Sequence, residues 1–184
     1  GAAGGKIDLF LESFALFSHT IQEKGASFLT PKKKLWPLAL SLLIVFAVGG
    51  LSYLLTGKAA MDRYAAQPKP PLSPPGWLFP AVWTVLYGLM GVSAWLVWKR
   101  AGWSRALEPY GLQLLLNAAW SPVFFRLELP WAALAILAAL EAVVLWMIAA
   151  FRRVDRRAGN LQIPYALWVA FAGYLNAAGA LLRK

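Results

Sequence analysis

The sequence predicts an all-α integral membrane protein, a five-helix bundle preceded by an N-terminal amphipathic extension. Three observations carry that expectation. Sixty per cent of its 184 residues are hydrophobic and only 14% are charged, whereas a soluble domain of this size sits nearer half apolar. Uncharged apolar runs recur at lengths close to the ~20 residues that cross a bilayer. The charges gather in short blocks between those runs, where they orient spans and meet lipid headgroups.

Residues 1–35 form the extension. In "KIDLFLESFALFSHTIQEKG", Ile7, Phe10, Phe14, Phe17 and Ile21 recur at spacings of three and four, the period of an amphipathic helix. Asp8, Glu12, Glu23 and Lys24 make this helix, residues 7–22, one that lies in the interface or docks on a partner. His19 belongs to its solvated face. The chain opens on Gly1 without Met, and a cleaved leader fits that as well as other origins do. "TPKKKLWP" closes the segment with a basic stop and an interfacial Trp36.

Residues 36–184 form the second unit. Span one is read as Trp36–Leu55, with Gly49 and Gly50 offering a close helix approach. Residues 56–76 are a polar, proline-rich loop. Span two runs Trp77–Trp98, span three Leu107–Phe125, span four Trp131–Phe151 and span five Ile163–Leu182, joined by "KRAGWSR", "RLELP" and the basic "RRVDRRAGN". Helical spans satisfy every main-chain polar group internally, as lipid requires, and no ten-residue polar/apolar alternation points to a barrel. Lys32, Lys33, Lys34, Lys99, Arg100, Arg105, Arg152, Arg153, Arg156 and Arg157 fall on one side. Lys58, Arg63, Lys69, Arg126, Arg183 and Lys184 fall on the other. The positive-inside rule then places the N-terminus on the cytoplasm-like side.

The net charge of +10 is therefore explained by membrane anchoring. No basic face is broad enough for a duplex, so nucleic acid is not an expected partner. The absence of cysteine and the single histidine exclude disulfides, thiolate nucleophiles and Cys/His metal sites. No Ser/His/Asp set, phosphate-cradling glycine loop or carboxylate pair is visible, which leaves conventional hydrolysis and phosphoryl transfer without machinery.

Polar groups within spans are costly and are functional candidates by default. Gln113 and Asn117 are four apart on span three, with Trp120 three beyond. Trp83 and Tyr87 form a similar face on span two, and Tyr165 and Trp168 on span five, continued by Ala172 and Asn176. Helix–helix hydrogen bonding and ligand contact both fit this spacing. Trp83 lies about two turns inside its span, too deep for an interfacial belt. Glu141 stands mid-span, where a carboxyl must be neutral, paired or turned inward. Aromatic faces with a few amides suit a flat, mostly apolar ligand held by a few hydrogen bonds.

Three blocks in order resemble the translocator protein/tryptophan-rich sensory protein (TspO/MBR) family across Trp36–Lys184: "KPPLSPPGWLFPAVWTVLYG", "QLLLNAAWSPVFF" and "IPYALWVAFAGYLN". The resemblance implies five spans, with the loop between the first two folding over the mouth of a ligand cavity. Prolines would lower the entropy lost on ordering such a lid. It implies a ligand site at Tyr64, Trp83, Asn117, Trp120, Trp168 and Ala172, to which the facing positions Tyr87 and Gln113 are added. The ligand implied is a tetrapyrrole such as protoporphyrin, or a lipid-like molecule, with no required cofactor and no metal. Bacterial members are reported to promote light- and oxygen-dependent porphyrin breakdown, which would make Trp83 and Trp168 its catalytic residues. Leu72 and Arg63 stand where the family often has Trp, and Tyr174 lacks the nearby cation of a cholesterol motif. Membrane lipids are expected partners, with a homodimer or a larger membrane complex. The alternative is an accessory subunit of a larger membrane complex, such as a pigment–protein one, that keeps the fold and docks through residues 1–35. A bacterial and an organellar membrane fit equally.

Overall fold

The computed structural model describes residues 35–182. The amphipathic helix expected over residues 7–22 lies outside the described residues. Within them every regular element is helical: α1 (Trp36–Thr56), α2 (Lys58–Ala65), α3 (Leu78–Ala101), a 3₁₀ turn (Arg105–Leu107), α4 (Glu108–Ser121), a π turn (Pro122–Arg126), α5 (Pro130–Val154), α6 (Arg156–Asn160) and α7 (Ile163–Leu182). Four stretches are long and apolar enough to cross a membrane: α1, α3, α5 and the α6–α7 pair from Arg156 to Leu182.

The segment read as span three departs from the expectation. Its α-helix has only 14 residues before Pro122 interrupts it. Proline has no N–H to give residue i−4, and the Ala118 carbonyl instead accepts from Ser52 Oγ of α1 at 3.1 Å. The chain continues as a π turn, closed by Leu127 N–H donating to Pro122 O at 3.0 Å. Two stretches read as loops also contain helix. Residues 58–65 form α2. The basic "RRAGN" forms α6 because Asp155 caps it, accepting from Arg157 N–H at 2.8 Å. Asp155 is 4% exposed, and the Arg100 guanidinium at 2.9 Å compensates its charge.

Helix limits follow local chemistry. Pro37, Pro109, Pro130 and Pro164 occupy the first or second position of α1, α4, α5 and α7, where a missing N–H costs nothing. Gly57 and Gly102 end α1 and α3 at φ 78° and 60°, positive values that glycine adopts without a Cβ clash.

The central helix is α5, which packs against both α4 and α7. Its buried residues Ala133, Leu137, Leu140, Val144, Met147 and Phe151 recur at three and four, so one stripe faces its neighbours throughout. Between α1 and α3 the seam is set by small residues. A Cβ on Gly91 would stand 3.1 Å from the Leu42 Cα, and one on Gly49 would stand 2.3 Å from Tyr87 Cε2. Gly50, the other half of the expected close approach, faces open space. Ser41 Oγ adds a bond to Gly91 O at 2.8 Å. In lipid, such close packing and interhelical hydrogen bonds hold helices together, because burial from water contributes little. Ser93 Oγ to Ala158 O (2.7 Å) and Thr56 Oγ1 with Ser121 Oγ (2.8 Å) serve the same end. These hydroxyls are helix-to-helix ties, and Ser93 and Ser121 among them lie within the expected spans.

Candidate functional site

The aromatic and amide faces of α3, α4 and α7 meet in the middle of the bundle. Tyr87 O–H donates to Asn117 Oδ1 at 3.3 Å, Asn117 Nδ2 donates to the Tyr165 hydroxyl at 2.8 Å, and Tyr165 O–H donates to Gln113 Oε1 at 2.9 Å. The chain of four side chains thus ties three helices together. Gln113, Asn117 and Tyr165 are 0%, 5% and 1% exposed. An unmade bond at this depth costs a group its full desolvation, and the bonds of the chain offset that cost for the atoms they join. Trp83 covers the chain, 5.3 Å from the Tyr87 ring and 6.3 Å edge-on from Tyr165.

A second aromatic group surrounds Trp120. Its ring stacks on Phe124 at 5.8 Å and meets Phe125 edge-on at 5.8 Å. Tyr64, brought in by α2, contacts the same two rings at 5.5 and 4.9 Å. The π turn makes this geometry: the extra residue in that turn lets the adjacent Phe124 and Phe125 both reach Tyr64. Lys69 holds its ammonium 3.5 Å from the Tyr64 ring centroid and donates to the Tyr64 carbonyl.

A third group runs along α7. Trp168 lies 5.8 Å from Phe79 and 5.6 Å from Phe171, and Phe171 stacks on Tyr174 at 6.3 Å. Tyr174 O–H donates to Pro71 O at 3.0 Å, so α7 carries a tie to the proline-rich loop. Within that loop Ser73 N–H and Oγ both bond Pro70 O, and Leu72 sits at φ 65° with its side chain 80% exposed. Ala172 is half-buried one turn past Trp168 and packs on the core.

Of the residues singled out from sequence, Trp83, Tyr87, Gln113 and Asn117 converge directly, while Trp120 with Tyr64 and Trp168 with Ala172 form flanking groups. Spacing did not single out Tyr165 as the hub, although it is fully buried and bonds two of the four chain members. The signal for it was its place three residues before Trp168 on one face. Phe79, Phe124, Phe125 and Phe171 are further aromatic neighbours that apolar periodicity does not distinguish from core. Asn176 is accounted for by the backbone: with Nδ2 donating to Pro130 O at 3.0 Å and Oδ1 accepting from Leu134 N–H at 3.2 Å, it clasps the first turn of α5. Glu141 is partly buried, and its Oε2 has no hydrogen-bond partner among the described residues. An open apolar groove of about 500 Å³ lies outside the polar chain, lined by Ala81, Val82, Val85, Leu86, Pro164, Leu167 and Trp168. Among the described residues no three His, Cys, Asp or Glu side chains gather as a metal site would require.

Four membrane-length apolar helices and an aromatic cluster around buried amides define a polytopic helical membrane protein with an aromatic–amide interior. The TspO/MBR family model matches residues 41–181. A tryptophan-rich protein TspO of Chlorobaculum tepidum is 37% identical over 148 residues, covering 78% of this chain and 94% of its own. The translocator protein of Bos taurus is 35% identical over 153 residues, 77% and 87% of the two chains. A tryptophan-rich sensory protein of Cereibacter sphaeroides is 40% identical over 108 residues, 59% and 68% of the two. The chain belongs to the TspO/MBR family, a family of membrane proteins with bacterial and eukaryotic members.

Proposed function

We propose that this protein binds a flat, largely apolar ligand of the tetrapyrrole class against the Trp83–Tyr87–Asn117 face, in a sensory or transport-associated role. The observation that carries the reading is the hydrogen-bonded chain from Tyr87 to Gln113 lying beneath Trp83. Aromatic faces supply broad dispersion contact, and a few fixed polar groups orient what sits on them. The names translocator and sensory protein carried by the relatives agree with such a role.

The fifth crossing belongs to this reading. α4 with its π turn runs continuously from residue 108 to 126. At ~1.5 Å per residue that is about 28 Å, close to the hydrocarbon thickness. The loop carrying Leu72 then lies over the open end, tied by Tyr174.

The test is tryptophan quenching by protoporphyrin in detergent micelles. Saturable quenching with a micromolar-range Kd (~−8 kcal/mol) is expected. Affinity should fall at least tenfold in the Trp83→Ala, Trp168→Ala double variant. Equal affinity in that variant would remove both residues from the site.

A further inference from the structure

The proline-rich loop is tied to α7 on that helix's outer side. The inward face of α7 carries the buried residues Tyr165, Ala166, Val169 and Asn176. Ile163, Leu167, Ala170, Tyr174 and Leu181 are exposed, and their spacing in steps of three, four and seven makes them one stripe of the helix. On a helix of membrane length, an exposed apolar stripe faces lipid. Leu167 of this stripe also lines the open apolar groove. Tyr174 therefore stands on the lipid-facing side, and its bond to Pro71 O brings the loop tip to that side.

Two neighbours fix the depth of the tip. Asn176, two residues beyond Tyr174, clasps Pro130 O and Leu134 N–H in the first turn of α5. That turn follows the charged Arg126 and Glu128 and carries an exposed Trp131, the pattern of a helix entering a membrane. α7 itself continues without charge for the eight residues from Tyr174 to Leu182, before the first cation at Arg183. At ~1.5 Å per residue this run is about 12 Å long. The bond from Tyr174 thus holds Pro71 inside the end of the apolar run, not beyond it.

What the loop presents at that depth is apolar. From Pro70 to Trp98 the chain has no charge. Lys69, the last cation before the tip, turns its ammonium back over the Tyr64 ring. Leu72 is 80% exposed at φ 65°, and Trp77 is 71% exposed where the loop enters α3. A turn in water takes Gly or Asn at a left-handed position, whereas a leucine there adds exposed hydrocarbon to a strained backbone.

We propose that the tip of the proline-rich loop is a membrane anchor, with Leu72 set into the boundary between headgroups and acyl chains beside α7. Bilayer lipid is the partner that fits. It removes the Leu72 side chain from water, and Trp77 takes the headgroup level that indoles favour. The prolines suit the same surroundings. Pro70, Pro71, Pro74 and Pro75 have no N–H to leave unmade, and Ser73 N–H and Oγ are both bonded to Pro70 O. The proposal rests on the loop and α7 and not on any bound ligand, so its failure leaves the porphyrin reading to its own test.

Spin labelling in phosphatidylcholine bilayers decides it. Because the chain has no cysteine, a nitroxide can be attached singly to Leu43→Cys, Lys58→Cys and Leu72→Cys. Leu43 is exposed within α1 and Lys58 is exposed just past its end, so they set the lipid and water limits, and any pull of the label itself is common to all three. Leu72 is already exposed, which leaves the packing of the bundle untouched. Collisions are measured with oxygen, which concentrates in lipid, and with a nickel chelate, which stays in water. The oxygen-to-nickel ratio at 72 should be several-fold above that at 58 and below that at 43. A ratio equal to that at 58 would put the tip in water and overturn the proposal. Weak collision with both reagents would overturn it as well, by showing the tip covered by protein, whether the bundle or a second copy.

Discussion

At Gly49 a single methyl would reach the hydrogen-bonded chain from outside it. An added Cβ stands 2.3 Å from Tyr87 Cε2, 2.8 Å from Cζ and 3.0 Å from the hydroxyl oxygen. The ring must move, and its bond to Asn117 moves with it. Gly49→Ala should therefore cost ~1–3 kcal/mol by overpacking, read as a lower Tm in detergent. Gly50→Ala, facing open space, should stay within experimental error. Equal Tm values for the two would show that Tyr87 is not confined as described. Trp83 and Trp168 carry a separate expectation. If bound porphyrin is consumed in light, the reaction needs molecular oxygen as oxidant and an oxidisable indole close by. Replacing either tryptophan by Phe keeps most of the packing and removes the indole. Binding should survive, and light-driven porphyrin loss should fall at least several-fold in each variant. Loss at the wild-type rate, or equally fast in darkness, removes the photochemical role.

α7 ties the loop to the bundle by a bond from Tyr174 to Pro71 O. Pro70 is buried, Ser73 closes the turn on it, and Leu72 takes a left-handed conformation with its side chain mostly exposed. For a β-carbon-bearing residue that conformation costs ~1–2 kcal/mol, so the turn is held from outside as well as within. Tyr174→Phe removes one exposed hydrogen bond, worth ~0.5–1.5 kcal/mol. Amide exchange at Ser73 should then speed up by several-fold while α5 amides keep their protection. Unchanged exchange at Ser73 would show that the loop holds itself. At the same scale, the helix read as span three gives way to a π turn at Pro122, which composition does not show. Apolar composition runs smoothly through "AAWSPVFF", but Pro122 breaks the hydrogen-bond ladder there, and Ser52 of α1 supplies a bond to the carbonyl left over.

Over the whole molecule, Lys99, Arg100, Arg105, Arg152, Arg153, Arg156 and Arg157 all lie exposed at one end of the bundle, where α3, α5 and α6 finish or begin. Lys58, Arg63 and Arg126 lie exposed at the other, with Arg126 donating to Leu55 O at the end of α1 and Arg63 3.2 Å from Glu128. Because the chain has no cysteine, single cysteines at 24, 58 and 99 give clean topology markers. An impermeant thiol reagent should label positions 24 and 99 from one side and 58 from the other. Labelling of 24 and 58 from the same side would break the five-span arrangement.

What the sequence determined by itself was the solvent and the class. Long uncharged runs, clustered cations and three ordered motif blocks are local properties, and a bilayer forces such runs to be helical whatever their neighbours do. The same locality made Trp83, Tyr87, Gln113 and Asn117 visible as shared faces. Tertiary structure decided what those faces meet. Spacing cannot tell which atoms of an amide are bonded to another helix, and that difference separates Asn176, spent on the α5 backbone, from Gln113, whose nitrogen has no partner among the described residues. It cannot place Tyr165 at the hub or bring α2 to the π turn either, because a hydrogen bond between helices depends on their separation and rotation. Those are fixed by where Gly49 and Gly91 allow close approach and where the helix gives way to a π turn at Pro122, and no single helix carries that information.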